Sequence, residues 1–238
     1  MMKKNNVLAM VCALLLGMAT VTPLCAEERG DWSLILGEDV ASSYLWRGFS
    51  YGGICSQTSA YFDYERGDWA VSLGMWSTAS LTKGVKLGDH YDEFDLSAEA
   101  SWRGLTFSLV NYNEYYNRAY GGSYLDLGLS YTLSENVPLT LSWYSVVNQP
   151  DIPSYFELAY DFSISVIDFS AAVGALPFAS GYYGSEAFSV CNLNLSVGHE
   201  FDFDRDGSVP VSAQVVYNPM AKEFFWGVNV GFYFSLDL

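Results

Sequence analysis

The sequence predicts an all-β protein, a transmembrane antiparallel up-and-down β-barrel of about twelve strands. Three observations lead to this fold class: apolar residues alternate over long stretches, long and short connections alternate, and the last segment, 227–238, is apolar on one face to its end. Side chains of a strand point alternately to its two faces, so this alternation gives one continuous apolar surface. A terminal strand of this kind avoids being an aggregation-prone edge if it pairs with the first strand and closes a barrel.

The composition fits a β-barrel and excludes two other classes. Half of the 238 residues are hydrophobic, 17% are aromatic and only 16% are charged, which favours strands rich in aromatic residues. No stretch approaches the length of an apolar transmembrane helix. The formal charge of −16 argues against nucleic acid as a partner and is compatible with attraction of cations.

Residues 1–26 have the features of a secretory signal peptide. Lys3 and Lys4 form a basic start, and residues 7–19 form an apolar segment that is too short to cross a membrane as a helix. Cleavage after Ala26 is predicted to leave residues 27–238 as a single outer-membrane barrel domain. Because it removes two lysines and no acid, the formal charge changes from −16 to −18.

Each strand is assigned from an alternating run. In the first run, Val40, Ser42, Tyr44 and Trp46 share one face, and in the later runs the apolar alternate residues are assigned to the outer face. In the fifth run, 105–115, Asn111 and Asn113 also fall on the outer face, which predicts a bulge or a membrane exit there. The predicted strands are 32–47, 57–65, 69–77, 93–102, 105–115, 124–133, 138–147, 155–164, 167–175, 189–201, 209–217 and 227–238.

The connections alternate in length, with both chain ends on the side of the short ones. Short turns are predicted at 66–68, 103–104, 134–137, near 165 and at 202–208, and longer loops at 48–56, 78–92, 116–123, 148–154, 176–188 and 218–224. Transmembrane barrels combine short periplasmic turns with longer external loops. A soluble β-sandwich or lipocalin-like barrel that buries the same apolar faces inward is the alternative.

Two of the four cysteines remain after the predicted cleavage. Cys55 is predicted to lie in a loop and Cys191 on the apolar face of a strand. They can form one disulfide in an oxidising compartment, or remain two free, half-buried thiols, and the second interpretation is favoured.

One segment points to a known family. Residues 43–50, SYLWRGFS, together with the preceding Ser42, resemble the S-x-Y-x-x-R-G-x-S signature of the TorF-like (Gcw_chp) family of outer-membrane β-barrel proteins. Gln57 and the segments 74–77, 93–96 and 155–158 follow in the family's order. The resemblance covers most of the chain after residue 26, and it implies the barrel fold and a location in the outer membrane of a Gram-negative-type bacterium. The chain ends in Leu238 rather than in the aromatic residue common in such proteins.

If the apolar faces contact lipid, the opposite faces line the lumen. The ionisable side chains assigned to these inner faces are all acidic except for one arginine. This set predicts either a narrow pore that favours cations or polar neutral solutes, or a plugged barrel in which Arg47 pairs with Asp63, Asp95, Glu99 or Glu157. A barrel of this size lies between filled and open ones. The ionisable lumen candidates are Arg47, Asp63, Asp95, Glu99, Glu114, Asp126, Glu157 and Asp161.

The resulting functional prediction is a porin-like passive channel for small polar or cationic solutes, and not an enzyme. The alternatives are a plugged structural barrel, an adhesin-like barrel that binds through its loops, and, less favoured, an outer-membrane hydrolase. A hydrolase would need a histidine beside a nucleophile, and the chain offers only His90 and His199 and no G-x-S-x-G motif. The expected partners are outer-membrane lipid, the barrel-assembly machinery and the solutes.

No cofactor or metal site is predicted. Residues 202–207 read D-x-D-x-D-G, like the start of a calcium loop, but Ala213 stands where the loop requires glutamate. A solvated periplasmic turn is the favoured interpretation of this segment.

Overall fold

The computed structural model describes residues 30–83, 90–134, 136–204 and 206–238, and twelve of its strands form a closed barrel. The predicted signal peptide, 1–26, lies outside the described residues. The strands are β1 (Asp31–Ala41), β2 (Tyr44–Trp46), β3 (Phe49–Gly52), β4 (Cys55–Arg66), β5 (Trp69–Ser80), β6 (Tyr91–Trp102), β7 (Leu105–Tyr116), β8 (Ala119–Ser134), β9 (Val137–Val146), β10 (Ser154–Ile164), β11 (Ile167–Leu176), β12 (Ser189–Asp204), β13 (Gly207–Asn218) and β14 (Glu223–Asp237).

The terminal strand closes the barrel, as predicted. β14 pairs with β1 in an antiparallel register that runs from Ser33↔Asp237 to Ala41↔Asn229. The other barrel strands pair with their neighbours in the chain, and β1 also pairs with β4. Closure removes the free sheet edges, because the first and last strands satisfy each other's backbone groups.

The outer surface of the barrel is apolar. Alternate residues such as Leu73 on β5 and Leu129 on β8 are 56% and 52% exposed, while Trp69 and Trp102 stack on each other near the strand ends. The barrel strands are 10 to 16 residues long, and a tilted strand needs about 9–11 residues to cross a bilayer. Within the described residues, no helix has the length and apolar character of a membrane span.

The two ends of the barrel differ. At one end, the short-turn end, the pairs β4–β5, β6–β7 and β10–β11 are joined by two residues each, and β1 begins and β14 ends here. At the other end, the loop end, longer connections include 147–153 and 177–188. The predicted loop at 116–123 is wrong: β7 and β8 continue pairing to Tyr116 and Ala119, leaving a two-residue turn. The predicted bulge is not found at Asn111, where β7 keeps its register with both neighbours; a register shift follows between Glu114 and Tyr115, with Gly121 of β8 as the extra residue.

The predicted first strand, 32–47, is wrong beyond Ala41. The chain leaves the barrel wall there and forms a hairpin, β2–β3, that turns at Arg47 and Gly48 with φ angles of 47° and 87°. Positive φ at both central residues is the tight turn that matches the twist of a hairpin. Tyr44 and Trp46 therefore do not face outward.

The hairpin lies inside the barrel. The ring of Tyr44 packs on Trp76 of β5, and that of Trp46 packs on Tyr112 of β7. On the opposite side, Asn218 at the end of β13 donates a hydrogen bond to the carbonyl of Gly48. Contacts with strands on opposite walls are possible only for a segment within the lumen.

The cysteines are free and buried, so the alternative of a disulfide is wrong. Cys55 is the first residue of β4 and does not lie in a loop. Cys191 does not lie on the outer face: Gly174 pairs with Asn192 and Ala175 with Val190, which leaves Cys191 as the extra residue of a β-bulge. A bulge redirects side chains, and here it turns the Cys191 thiol inward.

Candidate functional site

The tip of the β2–β3 hairpin is held by Arg47. Its Nη2 lies 2.6 Å from Asp126 Oδ2 on β8, and the two side chains are only 7% and 1% exposed. Its Nη1 donates to the Tyr183 hydroxyl at 2.8 Å. The guanidinium also lies 4.3 Å and 4.4 Å from the ring centroids of Trp46 and Tyr144. Arginine is suited to this site because it pairs with a carboxylate and stacks on aromatic rings at the same time.

Tyr183 belongs to the 177–188 connection and joins this loop to the hairpin. Burial raises the pKa of its hydroxyl above the ordinary value for tyrosine, so the neutral oxygen accepts the hydrogen bond from Arg47. The rings of Trp46 and Phe49 stack against Tyr183 with centroids 6.3 Å and 6.1 Å apart. The hairpin and the 177–188 loop are therefore in direct contact at the loop end.

Gly48 fits where no other residue would fit. A Cβ placed on it would lie 2.0 Å from the backbone carbonyl oxygen of Cys191. Its own carbonyl accepts a hydrogen bond from Asn218 Nδ2 at 3.0 Å. The hairpin tip is thus in contact with two neighbouring strands of the wall, β12 and β13.

The predicted partners of Arg47 were wrong. It pairs with Asp126 and not with Asp63, Asp95, Glu99 or Glu157, because the hairpin directs it to β8. Glu157 instead accepts hydrogen bonds from the Tyr155 hydroxyl and from Asn192.

Three carboxylates are buried together near the loop end. Glu93 on β6 pairs directly across from Glu114 on β7, and Asp95 is two residues further on the same face of β6. Tyr91 donates to Glu93, Tyr116 donates to Glu114, and Asp95 Oδ1 is buried without a hydrogen-bond partner. Glu93 was not among the predicted lumen residues, although it lies two residues from Asp95 and therefore on the same face of β6.

Three other candidates lie towards the short-turn end. Asp63, Glu99 and Asp161 each stand three residues before the end of their strands, β4, β6 and β10. Register places Ser72 across from both Asp63 and Glu99, and Glu99 and Asp161 are exposed to solvent. Their neighbours in sequence are the outward apolar residues, so these carboxylates are on the inner face. We call these three residues the acidic vestibule.

The two histidines lie at opposite ends of the barrel and therefore do not form one hydrolytic site together. His90 precedes β6 at the loop end, whereas His199 Nδ1 lies 2.6 Å from the Val166 carbonyl at the short-turn end. Among the described residues, no group of three or more histidine, cysteine or acidic side chains is arranged to hold a metal ion.

Comparison with solved structures gives distant likenesses. An outer membrane channel from Pseudomonas putida F1 has a TM-score of 0.48 and 11% identity, over 91% of this chain and 100% of that chain. A mutant of the Rh. blastica porin has a TM-score of 0.36 and 10% identity, over 87% of this chain and 100% of that chain. No family model and no curated protein matches the sequence. The likeness to the TorF-like family therefore stays a prediction.

Proposed function

We propose that this protein is an outer-membrane β-barrel of the porin-like class that gives small polar or cationic solutes a narrow passive route. The observation that carries the proposal is the combination of an apolar outer face with an inner face that is acidic and solvent-exposed at the short-turn end. Such a distribution suits a barrel with lipid outside and water within. The predicted signal peptide, assembly by the barrel-assembly machinery and insertion among outer-membrane lipids belong to the same proposal.

The cation preference follows from the balance of charge inside. Arg47 is paired with Asp126, which leaves the carboxylates of the acidic vestibule to set the local potential. Rings of acidic side chains favour cations in pores. A unit charge about 4 Å from a solute in water contributes about 1 kcal/mol, or roughly fivefold in local cation concentration.

A plugged structural barrel is the second candidate, and the hairpin favours it. The β2–β3 hairpin fills the loop end and is held by the Arg47–Asp126 ion pair and by the Asn218–Gly48 hydrogen bond. In this case the acidic vestibule is a blind cavity open only at the short-turn end.

Single-channel recording decides between the two candidates. The refolded chain, with its folding checked by heat-modifiable gel migration, is placed in a planar bilayer under a salt gradient. Discrete cation-selective steps support the channel, whereas a folded and inserted barrel without conductance favours the plugged barrel. A chain that stays soluble without detergent contradicts the membrane assignment.

Neutralising the acidic vestibule is expected to reduce selectivity. The double substitution Asp63→Asn and Glu99→Gln should lower the cation-to-anion permeability ratio by about fivefold or more, because two inward charges are lost with little change in volume. The reversal potential under a salt gradient measures this ratio. The matched control is Asp68→Asn in the β4–β5 turn, where the carboxylate is 52% exposed and pairs with Arg103 instead of facing the lumen. An unchanged ratio in the double variant contradicts the assigned role of the vestibule.

The outer face offers a separate test of lipid contact. Leu73→Arg, midway along β5, is expected to destabilise the inserted barrel by about 2–4 kcal/mol, because the charge would lie near the bilayer midplane. Leu133→Arg is the control: Leu133 is similarly exposed, at 48%, but it lies beside the short turn, where the cost is about 0–1 kcal/mol. Urea unfolding from lipid vesicles measures both. Equal effects would indicate that the outer face does not contact a membrane.

A further inference from the structure

A cup opens at the loop end, above the buried carboxylates. It has a volume of about 520 Å³, within the range of roughly 300–1,000 Å³ typical of small-molecule sites. We call it the outer cup. Its lining is Tyr51, Glu114, Tyr116, Tyr124, Gln149, Asp151, Gly181 and Tyr182.

The aromatic rings that line the outer cup pack against one another and against neighbouring tyrosines. Tyr182 packs edge-on against Tyr124, with centroids 5.1 Å apart, and is perpendicular to Tyr183 at 4.9 Å. Tyr51 belongs to the lumenal hairpin and packs on Tyr91 at 5.1 Å. The walls of the cup therefore come from the hairpin, from β7 and β8, and from two loops.

The charge around the outer cup is negative. Glu114, at its base, accepts a hydrogen bond from the Tyr116 hydroxyl at 2.8 Å. Asp151 accepts one from the backbone N–H of Gly181 at 2.8 Å, which holds the 177–188 loop beside the cup. Among the described residues no lysine or arginine lines the cup, and Arg47 below it is engaged with Asp126.

Four tyrosines and two carboxylates around one open volume select a particular ligand chemistry. Aromatic faces attract cations, most strongly those whose charge is spread over an apolar body. A bare metal ion would need several converging oxygen ligands, and the described residues contain no such group. We propose that the outer cup binds a small organic cation, a quaternary ammonium or alkylamine. This site does not require a conducting lumen, and its test is independent of conductance.

The test compares choline with its neutral isostere, 3,3-dimethyl-1-butanol, on the refolded full chain in detergent micelles. Isothermal titration is expected to give an affinity about tenfold higher for choline, because only the charged ligand gains from the rings and carboxylates. Equal binding of the two ligands, or no choline binding by the folded barrel, overturns the proposal. A cup that recognises neutral sugars or alcohols would give one of these two results.

Variants of Tyr182 place the binding in the cup. Tyr182→Leu should weaken choline binding about tenfold, whereas Tyr182→Phe should preserve it because the ring face remains. The matched control is Tyr120→Leu, a loop-end tyrosine that is 63% exposed and lies outside the cup. If Tyr182→Leu does not fold, Gln149→Lys replaces it and should weaken choline binding by charge repulsion. Wild-type choline affinity in the variant tested overturns the assignment to this cup.

Discussion

Replacing Arg47 with alanine is expected to raise the single-channel conductance at least several-fold. The substitution leaves Asp126, at 1% exposure, as a buried carboxylate without its cation, and breaking a buried pair in this way costs about 3–5 kcal/mol. The lost stacking on Trp46 and Tyr144 adds to this cost. Because the cost is relieved when the hairpin moves away and water reaches Asp126, the population of the displaced hairpin should rise by about two to four orders of magnitude.

The control for this variant is the ion pair at the other end of the barrel. Arg103 and Asp68 lie 2.5 Å apart, but their side chains are 65% and 52% exposed. Exposed pairs contribute about 0–1 kcal/mol, so Arg103→Ala should leave conductance and folding unchanged. A folded Arg47→Ala barrel with wild-type conductance would contradict the hairpin's role as the constriction.

The barrel strands were predictable because alternation is a local property. Lipid-facing and inward residues must alternate along every strand, so runs such as 69–77 and 124–133 identified β5 and β8 with errors confined to their ends. Closure was also predictable, since the apolar face of 227–238 required a partner strand. The errors at 116–123 arose because small and polar residues, which normally indicate a loop, here extend the β7–β8 pairing into the loop end.

The hairpin was not predictable from the same pattern. Tyr44 and Trp46 alternate just as the preceding residues of β1 do, so the change from wall to lumen leaves no break in periodicity. The reversal depends on Arg47 in a left-handed conformation, which non-glycine residues rarely adopt. Its stabilising partner, Asp126, is 79 residues away. Only the three-dimensional arrangement brings the two together, so the sequence indicated Arg47 as important and assigned it the wrong carboxylate.

Cys191 is a second residue whose position in the barrel could not be predicted from the alternating pattern. Alternation with Leu193 and Leu195 on β12 predicts that Cys191 lies on the lipid face. Because Cys191 is itself the extra residue of a bulge, its side chain lies on the inner face instead. A bulge changes the alternating pattern of the sequence very little, but it moves a side chain to the opposite face of the strand. Here it also exposes the Cys191 carbonyl to the hairpin, which is the contact that demands glycine at position 48.

Gly48→Ala is therefore expected to displace the hairpin by a different route from Arg47→Ala. The new Cβ would meet the Cys191 carbonyl oxygen at 2.0 Å, and at φ of +87° alanine is strained in any case. Backbone strain of this kind costs about 1–3 kcal/mol, and the clash adds to it because β12 is fixed by its ladder. Displacement should make the Arg47–Gly48 bond accessible to trypsin, and mass spectrometry of the fragments detects cleavage at this bond.

Gly184→Ala is the control that distinguishes the effect of backbone strain from the effect of a steric clash. Gly184 also has a positive φ, +69°, but no atom lies within 4 Å of its added Cβ, so this variant should remain uncleaved after Arg47. Resistance of Gly48→Ala at that bond would show that the hairpin tolerates the substitution in place. Cleavage combined with raised conductance identifies the hairpin as the element that limits passage. Cleavage without conductance instead shows that displacing the hairpin does not open the lumen, and it favours the plugged barrel.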